Sequence, residues 1–360
     1  MKEKIIPWIR NIIFMAGLVV VVFVCDFLFA QQGYIRYILQ DVNNEQNNYD
    51  GIILGASHAR SAINPQKIDN YDDTNTLSLA IPNETLKDSV YVLEEACNSQ
   101  NIKRVILDVD YQYWFIKTTE GYYNEAFIYN QMSWESPTKW EYLFNNLGNL
   151  DIRNAFSQII SYDVTPETVV NNVKQKTSQD YRDGNIYSLT VGDANGPYVG
   201  KGFFSRELSG GLPGGLEYVE HFSDLVDDGI SDYAYKYFEK LKEYCDSKGI
   251  ELICVTSPIT PSTLKIQSMD RVHDIFKEYF DSKGVTYLDF NMARLDVLPR
   301  TDYDYGDMEG HMGGEPAERY SDVLGQVLKK YEDKELDMNQ YFYSTFDELY
   351  KELDGTTSGK

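Results

Sequence analysis

The alternation of apolar and polar positions divides the chain into stretches of different character. Ile12 to Ala30 is apolar apart from Asp26. Nineteen residues at helical rise are enough to cross the hydrocarbon of a bilayer. Ile35 to Asn48 is polar and reads as a stalk, helical at first. Short apolar runs bounded by turn residues begin at Gly51. Gly51 to Leu54, Thr76 to Ala80 and Lys103 to Val109 read as buried strands. Thr85 to Asn98 has helical spacing, with Leu86, Val90, Leu93 and Ala96-Cys97 on one face and Thr85 as N-cap. Asn64-Pro65 stops whatever follows the first strand, and Gln66 to Tyr71 reads as a short connection.

From Tyr111 to about Gly215 the periodicity weakens and Tyr, Trp, Asn and Gly accumulate. Trp134 to Ser157 reads as one or two helices from the spacing of Trp140, Leu143, Leu147 and Leu150. The run Gly210-Gly211-Leu212-Pro213-Gly214-Gly215 reads as a loop. Regular winding then returns. Asp232 to Lys248 is an amphipathic helix with Tyr235, Phe238, Leu241 and Tyr244-Cys245 on one side and Gly249 as its cap. Glu251 to Thr256 is a strand, Met269 to Ser282 a helix ended by Lys283-Gly284, and Val285 to Phe290 the last strand. Pro316 to Tyr331 is the closing helix, and Asn339 to Leu353 adds a short acidic, aromatic one. Strand alternating with helix predicts an α/β, doubly wound parallel sheet. The expected organisation is a cytoplasmic tip and transmembrane anchor over 1–31, a stalk over 32–49 and an α/β domain over 50–338. That domain carries an insertion at about 111–215 over the sheet's carboxyl edge, and 339–360 forms a C-terminal helix and tail.

Composition sharpens this picture. Hydrophobic residues make up 42% of the 360, ample for a packed core. The net charge of -23 argues against a nucleic-acid partner, which needs clustered Lys and Arg, and against docking on anionic lipid. Lys2, Lys4 and Arg10 precede the apolar run and no comparable basic cluster follows it. The positive-inside rule therefore places the N-terminus in the cytoplasm and the bulk outside, with residues 12–30 in the bilayer. A cleaved signal peptide fits less well, because Phe27-Leu28-Phe29-Ala30-Gln31-Gln32 is a poor cleavage site. The four cysteines are scattered and form no C-x-x-C or Cys/His pattern, so no metal is expected. No phosphate-binding glycine loop is present, and no cofactor is expected.

Two stretches carry candidate chemistry. Gly55-Ala56-Ser57-His58 follows the first strand, where an open α/β sheet places its sites. Taken alone it is an ordinary strand-to-helix turn with a serine cap. Tyr303 to Gly314 is a glycine-rich loop that carries Asp307, Glu309 and His311 between the last strand and the closing helix. Topology brings that loop to the same sheet edge as Ser57. A serine hydroxyl is a weak nucleophile until an imidazole takes its proton, and an acid then holds the imidazole's tautomer. Asp307 and Glu309 are both near enough in sequence to be that acid. His58 is expected to pack or hydrogen-bond locally.

The two stretches together resemble the SGNH/GDSL hydrolase superfamily over most of the chain beyond the anchor. The likeness is nearest to its membrane-anchored branch in bacterial envelope modification, which includes the alginate O-acetylation proteins and the D-alanyl transfer protein of teichoic acid synthesis. The stretch from Leu77-Ser78-Leu79-Ala80 to Asp88-Ser89 resembles that branch's second block. The resemblance implies a flavodoxin-like sheet, Ser57 as nucleophile and His311 as general base. Asp307 is the preferred acid and Glu309 the alternative, since the position three before the histidine is Met308. It also implies an oxyanion hole from the Ser57 backbone N–H with Asn83, Asp110 and Tyr111 nearby. Asn83 stands where the family's second-block glycine is usual, and the third block's asparagine is absent. The activity implied is ester cleavage or O-acyl transfer on an envelope polysaccharide or teichoic-type polymer. A transferase would need a polytopic, acyl-exporting membrane partner. A catalytically silent scaffold or glycan-binding protein on the same fold is the alternative.

Overall fold

The computed structural model describes residues 2–115, 128–148, 153–185, 196–208, 214, 226–267 and 269–357. The chain forms two compact units, Met1–Gln40 with Gly121–Thr190, and Asp41–Glu120 with Val191–Lys360.

The second unit is built on a five-stranded parallel sheet. Its strands are β1 (Gly51–Leu54), β2 (Thr76–Ser78), β3 (Arg104–Asp108), β6 (Glu251–Thr256) and β7 (Thr286–Asp289), in the order β2-β1-β3-β6-β7. Ile52 lies beside Leu77 on one side and Val105 on the other, and Leu107 beside Cys254. β1 and β2 are buried throughout. A parallel sheet covered on both faces requires such unbroken apolar runs, and for that reason the strands read clearly in the sequence. Taken along the parallel strands this is the flavodoxin-like order, whose direction of winding reverses between β1 and β3.

The helices keep the expected spacing. Leu86–Ser99 opens with a capping box in which Thr85 and Asp88 bond each other's backbone N–H groups. Asp232–Lys248 ends at Gly249. Its buried face is Ala234, Tyr237, Phe238, Leu241 and Cys245, while Tyr235 is exposed. Tyr237, not Tyr235, is therefore the core tyrosine. Met269–Lys283 and Gly314–Glu332 complete the layers.

Several elements differ from the sequence expectation. Asn64 caps a short helix, Pro65–Asp69, where a plain connection was expected; proline at the first helical position favours the turn. Tyr111–Phe115 is a helix that sends Trp114 into the core against Phe238, Phe276 and Phe280, each with ring centroids 5.3 Å away. A buried Trp of this kind contributes roughly 2–3 kcal/mol. An antiparallel hairpin, β4 (Tyr198–Gly200) with β5 (Phe203–Phe204), stands in the stretch expected to lack strands. The C-terminal segment is two helices, Met338–Tyr341 and Phe346–Thr357.

The first unit holds the helix Lys2–Phe29. Within it Ile6–Phe29 is long and apolar enough to cross a membrane. The following helix, Ile35–Val42, belongs to no free stalk. Tyr34, Ile35, Tyr37, Ile38 and Leu39 are buried, and the Arg36 guanidinium lies 3.6 Å from the centroid of the Tyr181 ring. Polar residues at every third or fourth position hid that apolar stripe. Within 121–190 the described helices include Pro137–Asn145, Arg153–Phe156, Pro166–Thr177 and Gln179–Asp183. Leu143 is buried but Trp140 and Leu147 are exposed, and Leu150 lies outside the described residues. Of the run 210–215, only Gly214 is described.

Candidate active site

The site forms where the sheet's winding reverses. β1 ends at Gly55, whose φ is +144° and where an added Cβ would meet Asp108 Cβ at 3.0 Å. Glycine is needed there for the turn and for the close approach of β3. The turn starts the helix Ser57–Ala62 with a half-buried serine at its first residue. Its backbone N–H lies in the first turn, where the helix itself supplies no partner.

His311 arrives from the loop before Gly314–Glu332. Ser57 Oγ–H donates to His311 Nε2 across 2.6 Å. His311 Nδ1–H donates to Asp307, with 2.9 Å to Oδ2 and 3.0 Å to Oδ1. A carboxylate can only accept, so it fixes the proton on Nδ1 and leaves Nε2 as a base toward Ser57. Glu309 comes no nearer than 4.0 Å to the same nitrogen. Of the two acids considered, Asp307 makes the hydrogen bond. Asp307 also accepts the backbone N–H groups of Gly310 and His311, and the Arg206 guanidinium at 2.9 Å. Burial opposes its charge, but His311 and Arg206 outweigh that and hold it well below the usual carboxylate range.

Arg206 follows β5 and was not marked by any sequence motif. The hairpin carries it to Asp307, and its side chain and carbonyl also pack against Gly306 and Gly313 of the histidine loop.

His58 is not a local packing residue. Its Nδ1–H donates to Asp110 at 2.8 Å and its Nε2–H to the Glu309 carbonyl at 3.1 Å. Both partners only accept, so both ring nitrogens carry protons and His58 is an imidazolium. Burial works against that charge, and the Asp110, Asp108 and Asp307 carboxylates more than reverse it, raising His58 to about 9. Its ring stacks on that of His311, with centroids 4.4 Å apart and planes 4° from parallel. His311 is shifted the other way, lowered by burial and then by the His58 charge, against the pull of Asp307. A neutral imidazole thus lies against a charged one.

The remaining predicted residues fall as follows. Asn83 has φ +58°, the left-handed conformation that glycine usually supplies, and its Oδ1 accepts from Tyr113 at 2.8 Å. Asp110 is buried on His58; its backbone N–H is spent on the Asp108 carbonyl, 3.1 Å away. It has no donor to offer an oxyanion. Tyr111 is buried, with its phenol raised by burial beyond its ordinary range. Asp108, beneath the turn, accepts Ser257 Oγ–H at 2.6 Å and the Ser257 N–H at 3.1 Å; burial lifts it to about 6 against those bonds.

Donor atoms of Asp307, Glu309 and His311 lie within 4.8 Å of one another, a spacing metal ligands also have. Arg206 already supplies the positive charge there, and His311 turns its other nitrogen to Ser57. A groove of about 590 Å³ lined by Lys277, Asp281, Thr286 and Lys334 lies at the amino end of β7, the opposite edge from Ser57, and no histidine lines it.

No family model and no curated protein matches the chain. Among solved structures it is similar to a GDSL-like lipase of Bacteroides thetaiotaomicron. The two are 9% identical over 84% of this chain and 98% of that one, with a TM-score of 0.34. It is also similar to a protein of Bacteroides fragilis with a provisional acylhydrolase assignment. Here the identity is 8% over 82% of this chain and 93% of the other, with a TM-score of 0.33. The fold is carried by the order of the five parallel strands.

Proposed function

We propose that the chain is a serine esterase or O-acyltransferase of SGNH/GDSL type, anchored in a cell membrane and acting outside it. The observation that carries this reading is the hydrogen-bonded series Ser57–His311–Asp307, with 2.6 Å and 2.9 Å between its members, at the carboxyl edge of the sheet. Ser57 Oγ attacks the ester carbonyl carbon while His311 Nε2 takes the hydroxyl proton. The proton passes to the leaving alkoxide, and the acyl group remains on Ser57. Water or a sugar hydroxyl then attacks the acyl-serine, gives its proton to His311, and frees Ser57. The two acceptors separate hydrolase from transferase. The Ser57 N–H and the Asn83 amide serve as oxyanion donors in this reading.

The N-terminal helix with Lys2, Lys4 and Arg10 before it supports an anchor with the catalytic unit outside. The substrate proposed is an O-acylated envelope polysaccharide or teichoic-type polymer. Among the described residues one helix is long and apolar enough to span, and one span carries no acyl group across a bilayer, so transferase action requires a polytopic acyl-exporting partner.

The test is turnover of a chromogenic acetyl ester by the full chain in detergent, beside Ser57→Ala. Loss of at least about 10³-fold in the variant is expected. Equal turnover by both would remove the serine mechanism. Hydrolysis without acceptor favours the esterase; turnover only when a glycan acceptor is added favours the transferase.

A further inference from the structure

The first unit joins the end of its apolar helix to a cluster of exposed rings. Asp26 Oδ1 accepts from Ser157 Oγ at 2.8 Å, from Gln158 N–H at 3.1 Å and from Tyr162 O–H at 2.6 Å. Lys176 Nζ donates to the carbonyls of Asp26 at 2.8 Å, Phe27 at 2.9 Å and Ala30, closing the helix end. Asp163 N–H donates to the Phe29 carbonyl at 3.0 Å. The 157–163 segment and Lys176 are therefore fixed at the level of Asp26 to Ala30.

Phe156 stands directly before that segment and Ile159 within it. Phe156 meets Trp134 at 5.7 Å, Trp134 meets Trp140 at 5.6 Å, and Trp140 meets Phe144 at 6.3 Å. These five side chains are between 41% and 67% exposed. A contiguous apolar surface of that kind marks a contact with something other than water.

The helix supplies the depth. With Arg10 at the inner interface, the rise from it to Ala30 is about 30 Å, which matches about 30 Å of hydrocarbon. Asp26 to Ala30 and what they bind therefore stand at its outer edge, against the headgroups. Trp favours that layer, where an amphipathic ring meets both apolar and wet surroundings, and Phe and Ile beside it reach the upper acyl chains. The first unit is close to neutral, with nine Lys and Arg against ten Asp and Glu over 1–40 and 121–190, so zwitterionic headgroups and the upper acyl chains are the match.

We infer that Trp134, Trp140, Phe144, Phe156 and Ile159 form a lipid-facing surface that rests in the outer interface of the bilayer beside the anchor. The inference rests on the anchor reading, and the experiment separates the two. The full chain is placed in phosphatidylcholine nanodiscs whose lipid is brominated either near the carbonyls or deep in the acyl chain. Trp8→Phe leaves Trp134, Trp140 and the buried Trp114 as emitters. Trp134→Phe/Trp140→Phe leaves Trp8, beside the buried Trp114, to report the anchor.

Trp8 is expected to be quenched by bromolipid. The Trp8→Phe chain is expected to be quenched about twofold more by shallow than by deep bromines, with little access for aqueous iodide. If Trp8 is quenched but the Trp134/Trp140 emission is not, the surface proposal is overturned and the anchor stands. Iodide access in that case means the patch faces water, and iodide protection means a protein covers it. If Trp8 is not quenched, the anchor reading falls and the lipid surface falls with it.

Discussion

Neutralising the second imidazole should move the pH at which the site becomes active. His58 carries a positive charge with its ring centroid 4.4 Å from that of His311. At an effective dielectric of about 20, a unit charge at that range opposes a proton on His311 by about 4 kcal/mol. Asp110 offsets most of this. Its carboxylate is 2.8 Å from Nδ1 of a ring stacked at 4.4 Å on His311, on the order of 6 Å from that second ring, and returns about 3 kcal/mol. The net is about 1 kcal/mol, a little under one pH unit. The perturbation is His58→Gln with Asp110→Asn, which removes both charges and keeps two hydrogen-bonding amides. The His311 pKa then rises. Because protonated His311 cannot accept the Ser57 proton, the acid limb of kcat/KM moves up by about 0.7 to 1 unit. The assay is acetyl-ester hydrolysis from pH 5 to 9.5. Near pH 5.5 the double variant should fall about fivefold further below wild type than at pH 8. At pH 8 and above His311 is unprotonated in both chains, so the ratio levels off. His58→Gln alone leaves Asp110 bare and shifts the limb further in the same direction. Parallel profiles, lower by a constant factor at every pH, would refute the electrostatic role and leave His58 a packing residue.

Other consequences follow from the same geometry. Asp307→Asn presents an amide that no longer fixes the proton on Nδ1 of His311, and ester turnover should drop by about 10³-fold or more. Glu309→Gln, 4.0 Å from that nitrogen, should stay within about threefold of wild type in the same assay, since so loose a pair is worth under about 1 kcal/mol. Arg206→Gln removes the charge-assisted bond to Asp307 and should cost about tenfold in kcat/KM with little change in the urea midpoint. Gly202→Ala places a Cβ 1.9 Å from the Ser78 carbonyl at φ +80°. The β4–β5 hairpin cannot seat, and stability by urea titration should fall by more than about 2 kcal/mol.

The parallel strands were legible because burial on both faces writes itself as unbroken apolar runs such as Ile52-Ile53-Leu54. The helices Asp232–Lys248 and Met269–Lys283 were legible because each carries one apolar stripe and ends at glycine. The segment after Ala30 misled because its buried Tyr34, Ile38 and Leu39 alternate with Arg36 and Gln40, so average polarity outweighed the stripe. In the site, Ser57 and His311 could be named from the strand-turn and the loop. The choice between Asp307 and Glu309 could not, because one residue of loop register decides which carboxylate meets Nδ1. Arg206 and the His58–Asp110 pair were hidden for a different reason. Arg206 lies 101 residues from Asp307 and His58 lies 52 from Asp110, and such pairings are created only when β3 and the hairpin take their places. One signal was present, a histidine beside the serine and an acid just after β3 at adjoining strand ends. Parallel pairing of β1 with β3 would have brought them together.

The most direct measurement is covalent labelling of the full chain with a serine-reactive phosphonate, read by intact mass and peptide mapping. The account predicts one adduct on Ser57, absent in Ser57→Ala and slowed by about 10³-fold or more in His311→Ala. A chain that takes no label at Ser57, or one labelled at the same rate without His311, would contradict it.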